Sequence, residues 1–314
     1  MSNFATLKKT SGDLERLNKA IEQINNPTTE RKEDERFWKI ERDKAGNGSA
    51  VIRFLPPSAI DGDDALPWVR IWDHGFKSAN GKWYIEKSLT SLGDKSKDPV
   101  SEFNSYLWNL SEDENSWSRK QAKNQKRRLS YISNIMVISD PKHPENEGKV
   151  FLFKFGKKIF DKITAAMNPQ FEGDAPVNPF DFWKGANFKL RIRMFEGYPN
   201  YELSQFENLS PLSKNDAELE ATWKKQYSLK ELVDRSQFKS YQDLKARLDE
   251  VLAGDPAYEE FTGGKKKSNV QTFERPNTPA WPPAKPAVNA ESDSIPFETD
   301  EDDEDLQAFK RLAM

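Results

Sequence analysis

The sequence predicts an α+β protein: a β-rich body with flanking helices, an N-terminal arm and a disordered acidic C-terminal tail. Three observations carry that class. Apolar and polar residues alternate in the middle of the chain, most cleanly where Phe188, Leu190, Ile192 and Met194 face one way and Lys189, Arg191 and Arg193 the other. Helical spacing takes over beyond residue 216, with Leu244, Leu248 and Leu252 in line. Charge is asymmetric: residues 291–314 hold nine acids and two bases, a net of −7, which leaves +4 on the remainder of a chain whose total is −3.

Residues 1–30 read as a separate arm. Lys8-Lys9-Thr10-Ser11 is a short basic and hydroxyl cluster. Leu14, Leu17, Ile21 and Ile24 follow at helical spacing, Thr10 and Asp13 are placed to cap, and Asn25-Asn26-Pro27 ends the helix. So short a helix is not stable alone, so its apolar stripe needs a partner surface, either its own core or a second copy.

Residues 31–254 form the expected body. Residues 36–57 hold two strand-like runs around Gly46-Asn47-Gly48. Residues 68–87 make a second hairpin with Asn80-Gly81 at its turn, and Trp83 and Tyr84 then face opposite ways. Residues 89–118 read as a polar loop with acids at Glu112, Asp113 and Glu114. Six cations and no acid occupy residues 119–128, directly ahead of Tyr131 and an apolar strand at 132–138. A strand at 150–155, a glycine and a helix carrying Ile159, Phe160, Ile163 and Met167 come next. Ser228 with Glu231, and Ser240 with Asp243, are capping-box pairs, and Gly254 closes the last helix. From 255 to 314 periodicity is lost; five prolines lie between 276 and 286, and the acidic run is followed by LQAFKRLAM, residues 306–314, a small docking-type apolar cluster.

Several chemistries are excluded or weak. The chain has no cysteine, so disulfides and thiolate metal sites are absent. The first residues hold no apolar h-region and no run reaches membrane-span length, so neither a signal peptide nor a span is expected. His74 and His143 fall in no metal-site motif. Gly156-Lys157-Lys158 lacks Walker spacing. Asp61, Asp63 and Asp64 read first as a solvated turn and second as divalent-ion ligands of a metal-dependent nuclease.

What remains is three groups in which cations and aromatics interleave. They are Arg119, Lys120, Lys126, Arg127 and Arg128 with Tyr131; Lys154, Lys157 and Lys158; and Lys189, Arg191 and Arg193 with Tyr198 and Tyr201. Phosphates meet cations and bases lie on rings, which is how a single strand is held. Duplex readers insert a helix with few exposed aromatics, and no helix here carries such a face. An RNA-binding regulator shares this chemistry and differs only in 2′-hydroxyl contacts.

At these residues the chain resembles the single-stranded DNA-binding, helix-destabilising proteins of T-even-type bacteriophages. The likeness rests on AGNGSAVIRFLP, HGFKSANGKWYIE, KRRLSYISNIMVI, DPKHPENEGKVFLFKFGKKIFDKI and WKGANFKLRIRMFEGYPNY, and reaches from the arm to about residue 254. It implies an OB-fold β-barrel core, no catalysis, and cooperative coating of single strands in phage replication, recombination and repair. The setting it implies is the cytoplasm of the host bacterium. It also implies an acidic tail that recruits replication and recombination proteins. Lys8, Lys9, Thr10 and Ser11 would dock on a neighbouring copy, Arg127 and Arg128 would hold phosphate, and Tyr131, Tyr198 and Tyr201 would stack on bases. One feature departs from the family. A family zinc is held by one histidine and three cysteines; here His74 matches, but Lys87, Asp98 and Ser101 stand near the cysteine places. Zinc is therefore expected to be absent, with packing across residues 69–108, and the 102–125 region with Trp108 and Trp117, replacing it.

Overall fold

The computed structural model describes residues 34–263 except 63, 94 and 172. The expected arm and its Lys8–Ser11 cluster lie outside the described residues, as do the proline-rich linker and the acidic tail. The described residues from Phe37 onward belong to one compact unit.

Eight strands make its antiparallel sheet: β1 (Gly48–Phe54), β2 (Val69–Lys77), β3 (Trp83–Lys87), β4 (Arg128–Ser139), β5 (Val150–Phe155), β6 (Ala186–Phe195), β7 (Tyr198–Asn200) and β8 (Gln205–Leu209). The order is β3-β2-β4-β1-β6-β7, with β5 also on β4 and β8 also on β6. Twelve-residue β4 is the spine. Along one edge its first half pairs with β2 (Val69↔Ile132) and its second half with β1 (Phe54↔Ile135). Its other edge takes β5, from Tyr131↔Phe155 to Met136↔Val150. Changing partners half-way along one edge bends the sheet, which curls into a half-barrel. Its filling is largely aromatic: Phe54, Tyr131, Phe153, Phe155, Phe180 and Phe188 are all buried in one cluster.

Six helices flank the sheet among the described residues: α1 (Pro99–Asn109), α2 (Trp117–Gln125), α3 (Lys157–Met167), α4 (Asp216–Lys224), α5 (Tyr241–Val251) and α6 (Pro256–Phe261). The Ser240–Asp243 capping box is present in both directions at α5, and Gly254 follows with φ +82°. The second hairpin forms as expected, with Trp83 outward and Tyr84 buried. α3 buries Ile159 and Ile163 as its spacing requires.

Four expectations are corrected. Residues 36–42 are not a paired strand and make only an isolated bridge, Phe37↔Leu152; the Asp43 carboxylate accepts from the Ala45 and Asn47 N–H groups and turns the chain there. Residues 89–118 are not a loop. Asp98 caps the Val100 and Ser101 N–H groups, Pro99 starts α1, and Val100, Phe103 and Leu107 bury one face. Met194 is not buried as Ile192 is but 38% exposed, lying over Gly46, where an added Cβ would be 2.3 Å from Met194 Cγ. The packed body also continues past Gly254: α6 buries Tyr258, whose ring meets Phe103 edge-on at 4.9 Å.

Candidate nucleic-acid interface

Arg127 and Arg128 are adjacent, and adjacent residues entering a strand face opposite ways. The Arg127 guanidinium lies 4.1 Å from the centre of the Trp72 ring. Arg128 turns to the other face. Its Nη2 approaches Asp73 Oδ1 at 2.6 Å, and Lys154 Nζ reaches the other oxygen of the same carboxylate at 2.9 Å. Gly75 makes room, because a Cβ there would lie 2.3 Å from the Arg128 Nη2. Burial alone would raise the Asp73 carboxyl, but the charges of Lys154 and Arg128 and their hydrogen bonds outweigh it and hold the group below the usual carboxylate range. Arg128 and Lys154 thus share one acid, and their positive charge is partly neutralised.

Tyr131 is not the open platform expected of it. It is 7% exposed, and its ring stacks on Phe160 at 3.9 Å and 4°. Arg119 is likewise tied to the fold: its Nε donates to the Ser111 carbonyl at 2.6 Å and its guanidinium lies 4.3 Å from the Trp108 ring. Lys120 is exposed on α2 and Lys126 is half-buried at the helix end. Lys157 is half-buried and Lys158 exposed in the first turn of α3. Neither Gly156 nor that turn supplies an acid, so the helix dipole adds to the lysine charges.

The third group is the open one. On β6, Lys189 pairs with Glu207 at 2.8 Å, while Arg191 and Arg193 are exposed. Tyr198, on β7, is 66% exposed. Tyr201 is half-buried and packs against the aromatic cluster that holds Tyr131. Sequence reading missed Phe195, which is 55% exposed at the end of the same cationic row. Its position two residues beyond Arg193 was the available signal. It also missed Arg70, exposed on β2 opposite Tyr131.

The fold joins the three groups in series. Asp73 gathers Arg128 of the first and Lys154 of the second. α3 carries Lys157 and Lys158 at one end, and its Lys162 Nζ donates to the Glu202 carbonyl beside Tyr201. A separate cavity of about 420 Å³ is lined by Pro57, Phe182, Trp183, Leu219 and Trp223, with Asp216 and Glu220 beside it. Those acids make it a poor place for phosphate.

A basic, aromatic, β-rich surface of this kind has counterparts among known proteins. The family described as "gp32 DNA binding protein like" matches residues 46–252. The chain belongs to this family. The single-stranded DNA-binding protein of Enterobacteria phage T4 is 40% identical over 225 residues, 70% of this chain and 71% of that relative. The one from Enterobacteria phage T2 matches to the same extent. A shorter match, to the single-stranded DNA-binding protein of Escherichia phage SV14, is 47% identical over 71 residues, 23% of this chain and 59% of that relative.

Within the gp32-like region the residues at the expected zinc position do not fit that metal. His74 is buried, with Nδ1 at 3.0 Å from the Gln125 carbonyl and Nε2 at 3.2 Å from Asp98 Oδ1. The second contact is close without being aligned as a hydrogen bond. Asp98 also accepts from the Ser88 hydroxyl and from the N–H groups of Leu89, Val100 and Ser101. Burial opposes ionisation of Asp98, yet His74, the Ser101 N–H and the Ser88 hydroxyl hold its carboxyl well below the usual range. The Lys87 ammonium lies 5.2 Å from the Phe238 ring. One imidazole, one committed carboxylate, a lysine and a serine do not make the four-ligand set that structural zinc takes. Trp108 is buried beside Phe76, Tyr84 and Phe103 in the adjoining core, whereas Trp117 is 60% exposed and takes no part in it.

Of the acidic turn, Asp63 lies outside the described residues, Asp64 is exposed and Asp61 is structural. Asp61 is buried, and its carboxylate accepts from the Ser228 hydroxyl and the Leu229 N–H. No metal-binding group of three or more His, Asp or Glu occurs among the described residues.

Proposed function

We propose that this chain is a non-enzymatic single-stranded DNA-binding protein that coats exposed strands during phage replication, recombination and repair inside the host bacterium. The observation that carries it is the outer row of β6, where Arg191 and Arg193 are exposed beside exposed Tyr198 in a gp32-like chain. Exposed cations displace counterions from phosphate, and an exposed ring stacks on any base. Arg127 on Trp72, Lys120, and Lys157 with Lys158 at the start of α3 extend the phosphate-contacting surface. The curled half-barrel supports an OB-fold reading of the core, in keeping with a single-strand site.

Two further parts belong to this proposal. Lys8, Lys9, Thr10 and Ser11 dock on a neighbouring copy and make binding cooperative. The acidic tail recruits replication and recombination proteins and competes with DNA for the cationic surface.

Tryptophan fluorescence during titration with a long single strand and a matched duplex, at several salt concentrations, tests the reading. Tight, salt-sensitive, sigmoidal quenching by the single strand alone is expected. Equal binding to both forms makes the protein a general polyanion binder, and stronger binding to RNA makes it an RNA-binding regulator. Removing residues 1–25 is expected to abolish the sigmoidal shape and leave single-site affinity intact.

A further inference from the structure

We infer that Phe195 and Tyr198 act together as a two-ring base platform at the tip of the β6–β7 hairpin, with Arg193 as its phosphate contact. The inference rests on the single-strand reading above and deepens it.

Phe195 and Tyr198 are paired directly across the hairpin. Residues directly opposite in an antiparallel pair project from the same face, with Cβ atoms about 4.5–5.5 Å apart. Both rings are largely exposed, at 55% and 66%. Two large aromatics side by side in water, with no core to fill, leave flat apolar surface that a stacked base would cover. Period-two alternation puts Lys189, Arg191 and Arg193 on the face of β6 that carries Phe195. The Arg193 guanidinium stands 6.0 Å from the Phe195 ring centre. A base arriving on that ring displaces the guanidinium, which is then free to meet the adjoining phosphate.

The turn shows that the pair is held deliberately. Glu196 has φ +50° and Gly197 φ +87°, the pattern of a two-residue primed turn. Glu196 is the single non-glycine residue with positive φ among the described residues. Glycine or asparagine would suit that backbone better, so glutamate leaves strain in the tip. That turn sets Phe195 opposite Tyr198, and a longer loop would let the rings drift apart.

The test is binding of the full chain to a short oligothymidylate that admits one molecule, across a salt series. Phe195→Ala is expected to weaken binding about tenfold with the salt slope unchanged, because stacking releases no counterions. Phe195→Trp is expected to restore affinity and add a tryptophan signal quenched on binding, while Phe195→Leu, apolar but not aromatic, is not. Melting temperatures stay at the wild-type value, since the ring is exposed. If Phe195→Ala binds as wild type while Tyr198→Ala is weakened, the platform is Tyr198 alone and the inference falls. If the wild-type chain does not bind the oligonucleotide, the reading beneath it falls as well.

Discussion

Two regions of this molecule have nearly the same composition and opposite fates. The entry into β4 holds Arg127, just ahead of the strand, with Arg128 and Tyr131 in it; the β6–β7 ribbon holds Arg191, Arg193, Phe195 and Tyr198. In the first, the ring is buried against Phe160 and Arg128 is paired with Asp73. In the second, rings and arginines stand in solvent. The difference lies in neighbours. β4 is covered by β2, β1 and β5, and α3 lays Phe160 over Tyr131, whereas among the described strands the end of β6 pairs only with three-residue β7. Composition therefore marks where cations and rings cluster along the chain, and burial decides which of them are held within the fold and which stand in solvent.

The contrast is sharpest in stability. Tyr131→Ala removes a ring from the aromatic core and is expected to cost about 3–5 kcal/mol in urea unfolding. A stability loss below ~1 kcal/mol would mean that the ring is dispensable to packing and would return it to the list of base contacts.

Asp73 comes next. Asp73→Ala leaves Arg128 and Lys154 without their shared acid and is expected to cost about 2–3 kcal/mol, less than a fully buried pair because Lys154 reaches water. The same acid sets a pH dependence. Its folded pKa lies below the unfolded value of about 3.9, so its stabilisation is present above that pH and fades as pH falls toward the folded pKa. Melts between about pH 5 and 2 should show a shallower acid loss in Asp73→Asn than in wild type; equal slopes would place the acid sensitivity elsewhere, with Asp98 the next carboxylate to examine.

On the open side, Tyr198→Ala should leave unfolding within about 0.5 kcal/mol of wild type and cost about 1–3 kcal/mol in single-strand affinity. The reverse pattern would erase the distinction between the regions. The smallest effect is electrostatic. Arg193→Ala should flatten the log-log salt dependence of binding by roughly 0.7, and Arg128→Ala by clearly less, because its charge already faces a carboxylate. Equal slopes for the two variants would mean that Arg128 leaves Asp73 for phosphate when DNA binds.

Much of the fold is legible from local pattern. Alternation places β6, the Asn80-Gly81 turn places the β2–β3 hairpin, and the Ser240–Asp243 box starts α5, because each signal acts over a few residues. Helix α1 was legible too, in Asp98, Pro99 and the spacing of Val100, Phe103 and Leu107, but the surrounding polar residues obscured it.

The sequence by itself determined that this is a basic, aromatic, β-rich body with an acidic tail, and that its cations and rings fall in three groups. Charge and periodicity are properties of the chain, readable without coordinates. Only the tertiary structure decided that Arg128 meets Asp73, that Tyr131 meets Phe160, that His74 and Asp98 face each other, and that Phe195 stands beside Tyr198 in solvent. Each of these except the last joins residues tens of positions apart, and the last depends on what the surrounding strands leave uncovered. Burial is set by neighbours, and the neighbours are chosen by how the whole sheet curls.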